Sequence, residues 1–114
     1  MPREITILSQ TPHDLYALAE AAEGIAGTGE VREIEGGTAV QVLTAAGSDL
    51  LTVYAPRILR TGGEVARLLP DAPAVELPVY WSDAFAPWGD AGEAGVSIAL
   101  RLALAVDATC VVED

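Results

Sequence analysis

Apolar positions along the chain fall into short strand-like runs and helix-like stripes, in the order β-α-β-β-β-α-β-α-β. From Glu4 to Ser9, the β-branched Ile5, Thr6 and Ile7 lead into Leu8, which predicts a first strand. Thr11-Pro12-His13-Asp14 then opens a helix. Thr11 can cap it, Pro12 suits the first helical position, and Asp14 adds negative charge to the first turn. Leu15, Leu18, Ala19 and Ala22 recur at helical spacing as one apolar stripe, and Gly24-Ile25 has the form of a C-terminal cap with its hydrophobic contact.

Glu30 to Glu35 and Thr38 to Ala45 flank Gly36-Gly37. Two glycines between strand-like runs predict a tight hairpin, because glycine accepts positive φ. Val40 and Val42 fall on one face, with Gln41 on the other. Leu50 to Ala55 follows the turn-prone Gly47-Ser48-Asp49, so a three-strand antiparallel meander is expected, closed by Pro56. A second helix is expected from Gly62 to Leu69, with Thr61 and Glu64 as a capping box and Pro70 as its stop. Arg57 to Arg60 belong either to that helix or to the loop before it. Val75 to Trp81 reads as a strand, distorted or at an edge near Pro78, which has no amide donor. A loop over Ser82 to Gly89 follows. Asp90 and Glu93 offer another capping box for a third helix through Val106, and Thr109 to Glu113 form a short last strand.

The third helix carries Val96, Ile98, Ala99, Leu100, Leu102, Ala103, Leu104 and Val106 around most of its circumference, against one polar stripe of Glu93, Ser97 and Arg101. A helix apolar almost all round is normally buried, and a short chain needs its most apolar helix for its own core. The alternative is that it faces a second chain. The fold class expected is α+β: a single domain over residues 1–114, with one mostly antiparallel sheet and three helices.

Composition bounds the picture further. A chain of 114 residues buries roughly two thirds of its unfolded surface without metal or disulfide. Half its residues are hydrophobic, which argues against global disorder. The most apolar stretch, Ala94 to Val106, contains Arg101 and falls short of the ~20 residues that span a bilayer. Glu4 stands where the apolar run of a secretory signal would begin. Cys110 is the only cysteine, so an intrachain disulfide is impossible, which fits a reducing, cytoplasmic setting. The absence of Lys and Asn beside abundant Ala, Gly and Arg is the coding signature of a GC-rich bacterial genome.

Charge changes the picture most. Seventeen carboxylates face six arginines, for a net charge of −11. Such a field repels phosphate backbones and anionic lipid heads, so nucleic acid and membrane surfaces are excluded as ordinary partners and a basic protein is favoured.

One segment stands out for binding. Tyr80 to Asp90 holds both tryptophans, the sole phenylalanine and one of the three tyrosines. Aromatics supply large contact areas at small entropy cost, and beside Asp83 and Asp90 they suit an Arg-rich surface. The candidate partner-binding residues are therefore Tyr80, Trp81, Asp83, Phe85, Trp88 and Asp90. The competing reading is that these rings plug one end of the core.

Catalytic and metal chemistry find less support. His13, the only histidine, would need Ser9, Ser82 or Cys110 as nucleophile and Asp83 or Asp14 as orienter, and the spacing singles out none of them. Asp83, Asp90 and Glu93 could face a hard cation, but their order does not match a calcium loop and two of them read as helix caps. No Cys-x-x-Cys or His-x-x-x-His pair exists. Gly24-Ile25-Ala26-Gly27-Thr28-Gly29 has the wrong glycine order for a dinucleotide loop and follows a helix instead of opening one. No catalytic residue, metal or cofactor is assigned.

The sequence thus predicts a non-catalytic protein-binding module, of the immunity or inhibitor type that neutralises a basic partner. That analogy stands on size and charge, with no shared motif. Two alternatives remain. One is a small-molecule enzyme or ligand-binding domain with its site between the 80–90 loop and the third helix. The other is a homo-oligomeric scaffold with the third helix as its seam.

Overall fold

A computed structural model describes residues 3–13, 15–25, 27–61, 63, 67 and 77–113. Its elements are β1 (Arg3–Ser9), α1 (Leu15–Ala22), β2 (Thr28–Ile34), β3 (Ala39–Thr44), β4 (Asp49–Tyr54), β5 (Arg57–Leu59), β6 (Val79–Ala86), α2 (Asp90–Ala105) and β7 (Thr109–Glu113). The α+β class holds. One seven-stranded sheet has the order β2-β3-β4-β6-β1-β7, with β5 paired to β6, and its strand pairs are antiparallel. Among the described residues there are two α-helices, not three. Of the second helix expected over 62–69 only residues 63 and 67, both helical, are described; Asp14, Pro70 and the start of the strand expected at Val75 lie outside the described residues.

Both helices lie on one face of the sheet. Ile5, Ile7, Val42, Leu51, Val53, Ala84 and Ala86 from the strands close on Leu18, Ala21 and Ala22 of α1 and Ile98, Ala99 and Leu102 of α2. Burying each large aliphatic side chain contributes roughly 1.5–3 kcal/mol. On the opposite face a smaller apolar cluster forms from Leu8, Leu59, Val79 and Trp81, with Val111 against it.

The expected connections are refined in geometry. Gly24 ends α1 with φ +81°, and the Ile25 amide donates to the Ala22 carbonyl at 3.2 Å, as the cap required. The stripe of α1 turns by a residue: Leu18, Ala21 and Ala22 are buried while Ala19 is exposed. The β2–β3 turn is wider than a two-residue hairpin. Ile34 pairs with Ala39, and Glu35, Gly36 and Gly37 all take positive φ in a short 3-10 turn.

The largest departure is β6. The strand begins after Pro78 and runs through Ala86, so most of the expected loop over 82–89 is strand. It is central, pairing with β1, β4 and β5. Its alternation is small against large. Ser82, Ala84 and Ala86 face the helices, and Trp81, Asp83 and Phe85 face away. Lacking β-branched residues after Val79, it carries a weak local strand signal, and three neighbouring strands hold it extended. β5 was equally illegible, because three residues form a strand only against β6.

The helix expected over Asp90 to Val106 forms, with two differences. Its N-cap is Gly89 at φ +76° with no side-chain cap hydrogen bond, so Asp90 and Glu93 form no capping box. It is also one-sided. Ile98, Ala99, Leu102 and Ala103 are buried, whereas Leu100 is 45 % and Leu104 82 % exposed. No helix among the described residues is long and apolar enough to cross a membrane.

Candidate functional site

The sheet face turned away from the helices presents one continuous cross-strand row: Arg32, Gln41, Thr52, Phe85, Glu4 and Glu113, on β2, β3, β4, β6, β1 and β7. Directly opposed residues on antiparallel strands share a face, so these side chains emerge on one side. The next row places Asp83, Thr6 and Val111 together, and the row beyond that Trp81, Leu8 and Thr109. Period-two alternation within β1 and β6 is what brings Glu4, Thr6, Asp83 and Phe85 to the same side.

These rows border a depression of about 230 Å³ whose walls include Glu4, Thr6, Arg57, Asp83, Phe85 and Glu113, with Trp81 at its edge. The Trp81 indole N–H donates to Asp83 Oδ1 at 2.8 Å, and the Arg57 guanidinium lies 5.9 Å from the Trp81 ring centroid. Phe85 meets Tyr54 edge to face, with centroids 6.0 Å apart at 87°. Such a contact is worth about 0.5–1.5 kcal/mol beyond area burial.

Neither Glu4 nor Glu113 has an ion pair among the described residues. Among the described residues the only ion pair is Arg3–Glu93 at 3.2 Å, and it lies at the helix side of the sheet. Arg32, the cation of the same row, is spent on Gln41 Oε1 at 3.1 Å and sits four strand spacings from Glu4. At about 4.8 Å per spacing that is roughly 19 Å, beyond the ~8 Å screening length of physiological salt.

The six candidate residues read from the sequence do not form one loop. Trp81, Asp83 and Phe85 share the face turned away from α1 and α2, and Tyr80 points to the other. Trp81 is 4 % exposed and Trp88 44 %, so one indole belongs to the interior and one to the surface. Trp88 and Asp90 lie beyond the strand, around the start of α2. There Arg3 stacks 5.9 Å from the Trp88 centroid and pairs with Glu93. Each indole therefore already has an arginine of its own chain over it, and the open aromatic surface of the sheet is Phe85 with Tyr54. Glu4, Thr6 and Glu113 were missed because only the register of three strands places them beside Asp83 and Phe85.

His13 and Ser82, 69 positions apart in sequence, do meet: His13 Nε2 lies 2.8 Å from Ser82 Oγ. Ser9 Oγ donates to the Thr11 carbonyl, and Cys110 falls level with Ser82, with Ile7 between them. Ser82 is 1 % exposed, which leaves no approach for an electrophilic carbon to ~3 Å of its oxygen. Asp83 points to the opposite face and cannot orient the imidazole. The bond is structural: it satisfies a buried hydroxyl and ties the approach to α1 onto the central strand. Burial pushes the Cys110 thiol above its ordinary 9.0, away from the reactive thiolate.

Comparison with known protein families, curated proteins and solved structures finds no match.

Among the described residues no group of three His, Cys, Asp or Glu side chains converges as a metal site. The start of α2, beside which the small-molecule site was expected, is occupied by contacts of its own chain. Trp88, Arg3 and Glu93 cluster there, and the Gly92 amide donates to the Gly89 carbonyl at 3.0 Å. A second depression, of about 320 Å³, lies between α1 and β2, with Glu20, Glu23, Thr28 and Val31 in its walls.

Proposed function

We propose that the chain is a cytoplasmic, non-catalytic binding module that neutralises a basic protein, in the manner of an immunity or inhibitor protein, through the sheet face turned away from the helices. The row Phe85–Glu4–Glu113 carries this reading. It joins a half-buried ring to two carboxylates set against each other, with no ion pair to either among the described residues. Like charges directly opposed on neighbouring strands destabilise a sheet. An arrangement that a single Lys or Gln would relieve is supported by a cation arriving from outside. The net charge of −11 steers such a partner and repels nucleic acid.

The test is affinity capture from native cell lysate at low and high salt, with variants of the face. A basic protein retained at low salt and released at high salt is expected, and Phe85→Ala and Asp83→Asn should weaken its capture. Asp83→Asn retains a carbonyl acceptor for the Trp81 indole, so lost binding there reports charge and not unfolding. Capture that is indifferent to both substitutions in folded variants rejects this face as the interface.

A second reading draws on α2. Leu100 and Leu104 form an exposed apolar strip on its outer side. A homo-oligomeric scaffold would bury them between copies. Light scattering that shows a dimer converted to monomer by Leu104→Glu supports this reading, and a monomer at all concentrations removes it.

A further inference from the structure

We propose that the outer edge of β7 takes up an extended, basic segment of the partner as an added strand of the sheet. This mode of contact rests on the binding-module reading and is the way the basic partner is held.

The two ends of the sheet differ. β2 closes one end and β7 the other, and no described strand pairs with the outer side of either. An edge strand presents a row of backbone N–H and C=O groups ready to pair with another chain, unless something blunts it. β2 is blunted. It carries Gly29, Glu30, Arg32 and Glu33, and its register on β3 shifts between Thr28 and Val31. Charges, a strand glycine and a bulge all disfavour a further strand. β7 reads Thr109-Cys110-Val111-Val112-Glu113, with no Gly or Pro and no charge before Glu113. It pairs with β1 in unbroken register from Glu4–Glu113 to Leu8–Thr109.

The apolar side of the sheet also runs out to this edge. Val112 opposes Ile5 and Cys110 opposes Ile7, so both stand on the helix side. Ile5 and Ile7 are sealed in the core, whereas Val112 is 36 % exposed. An added strand with an apolar residue beside Val112 extends that side by one position.

Charge selects the occupant. A second copy brings another −11 to the edge, and β7 paired with β7 sets no cation against Glu113. A basic residue opposite Glu113 makes a favourable cross-strand pair and offsets its opposition to Glu4. Strand alternation then fixes the pattern of the segment. Basic residues lie on the side of Glu113, and β-branched apolar residues lie on the side of Val112 and Cys110.

The probe is an acetylated, amidated pentapeptide of alternating arginine and valine, titrated into the full chain with amide chemical shifts as the readout. It should bind saturably, with a dissociation constant on the order of 1 mM. The shifts should centre on residues 109–113. In an antiparallel pair only alternate residues bond to a given neighbour. Two further peptides of unchanged charge carry backbone N-methyl groups on the arginines or on the valines. One should bind like the parent, and the other about tenfold more weakly. Val112→Lys should weaken the parent peptide about tenfold. Glu113→Gln should weaken it about threefold. Glu33→Gln on β2 should change nothing. Equal binding of the two N-methylated peptides, shifts scattered over the acidic surface, or full binding by folded Val112→Lys overturns strand addition. Concentration-dependent broadening at residues 109–113 without peptide gives the edge to a second copy and overturns the basic occupant. Partner capture intact in Val112→Lys overturns the edge and leaves the module reading in place. Selective binding of one N-methylated peptide at β7 without capture of any basic protein does the reverse.

Discussion

Glu4 and Glu113 stand directly opposite each other on β1 and β7, on the same face of the sheet, with no ion pair to either among the described residues. A cross-strand pair of like charges costs about 0.2–1 kcal/mol relative to a neutral pair. β7 is an edge strand, so the contact sits where a second molecule can reach it.

Glu113→Gln should therefore stabilise the protein by about 0.2–1 kcal/mol, more at low salt than at high. The urea midpoint should rise at unchanged slope. The same substitution should weaken partner capture, which places stability and binding in opposition at one residue. An unchanged or lowered midpoint would show that the two carboxylates do not repel across the strands.

Gly95 tests how closely α2 approaches the sheet. A Cβ built there would lie 2.2 Å from the Leu50 carbonyl oxygen and 3.1 Å from Ala86 Cβ. Helix propensity alone favours Ala over Gly by about 1 kcal/mol. Overpacking against backbone costs roughly 1–3 kcal/mol, and no rotamer change relieves it. Gly95→Ala is expected to destabilise, whereas Ser97→Ala on the exposed side should stay within about 0.5 kcal/mol of the parent. Thermal unfolding of both variants decides the sign.

The His13–Ser82 bond should appear as coupling in stability and not in turnover. A double-mutant cycle of His13→Ala and Ser82→Ala should return an interaction of about 0.5–1.5 kcal/mol. His13→Ala alone should cost more than the cycle assigns to the pair, because it leaves the Ser82 hydroxyl buried without its partner. Additive effects would mean that the two groups do not interact.

Cys110 sets a pH dependence. Its thiol ionises later in the folded chain than in the unfolded one, because burial disfavours the thiolate. The folded state therefore holds the proton longer. The stability tied to this group is complete below the ordinary value of 9.0 and is lost as pH rises through the raised folded value. Cys110→Ala should flatten the fall in stability above pH 9.0. Alkylation of native protein at neutral pH should be slow and should accelerate on unfolding.

Much of the fold was legible where local chemistry and tertiary context agree. The β-branched run at Ile5–Ile7, the glycine after α1, the β2–β3–β4 meander and the extent of α2 all follow from residue types at fixed spacing. The site was legible only in part. Asp83 and Phe85 stood out as an acidic residue beside an aromatic one, but Trp81 looked equivalent to Trp88 until strand alternation and the second apolar cluster turned it inward. Glu4, Thr6 and Glu113 carried no local signal, since a charged or hydroxyl side chain in a strand looks the same whatever stands beside it.

By itself the sequence determined the α+β class, the antiparallel meander, the large negative charge and the absence of a disulfide within the chain, because each depends on composition or short-range periodicity. Tertiary structure decided that residues 82–86 are a central strand, that His13 reaches Ser82, and that Glu4 confronts Glu113. Each of these is set by pairing register between strands distant in the chain, and register is a property of the assembled sheet that no single segment encodes.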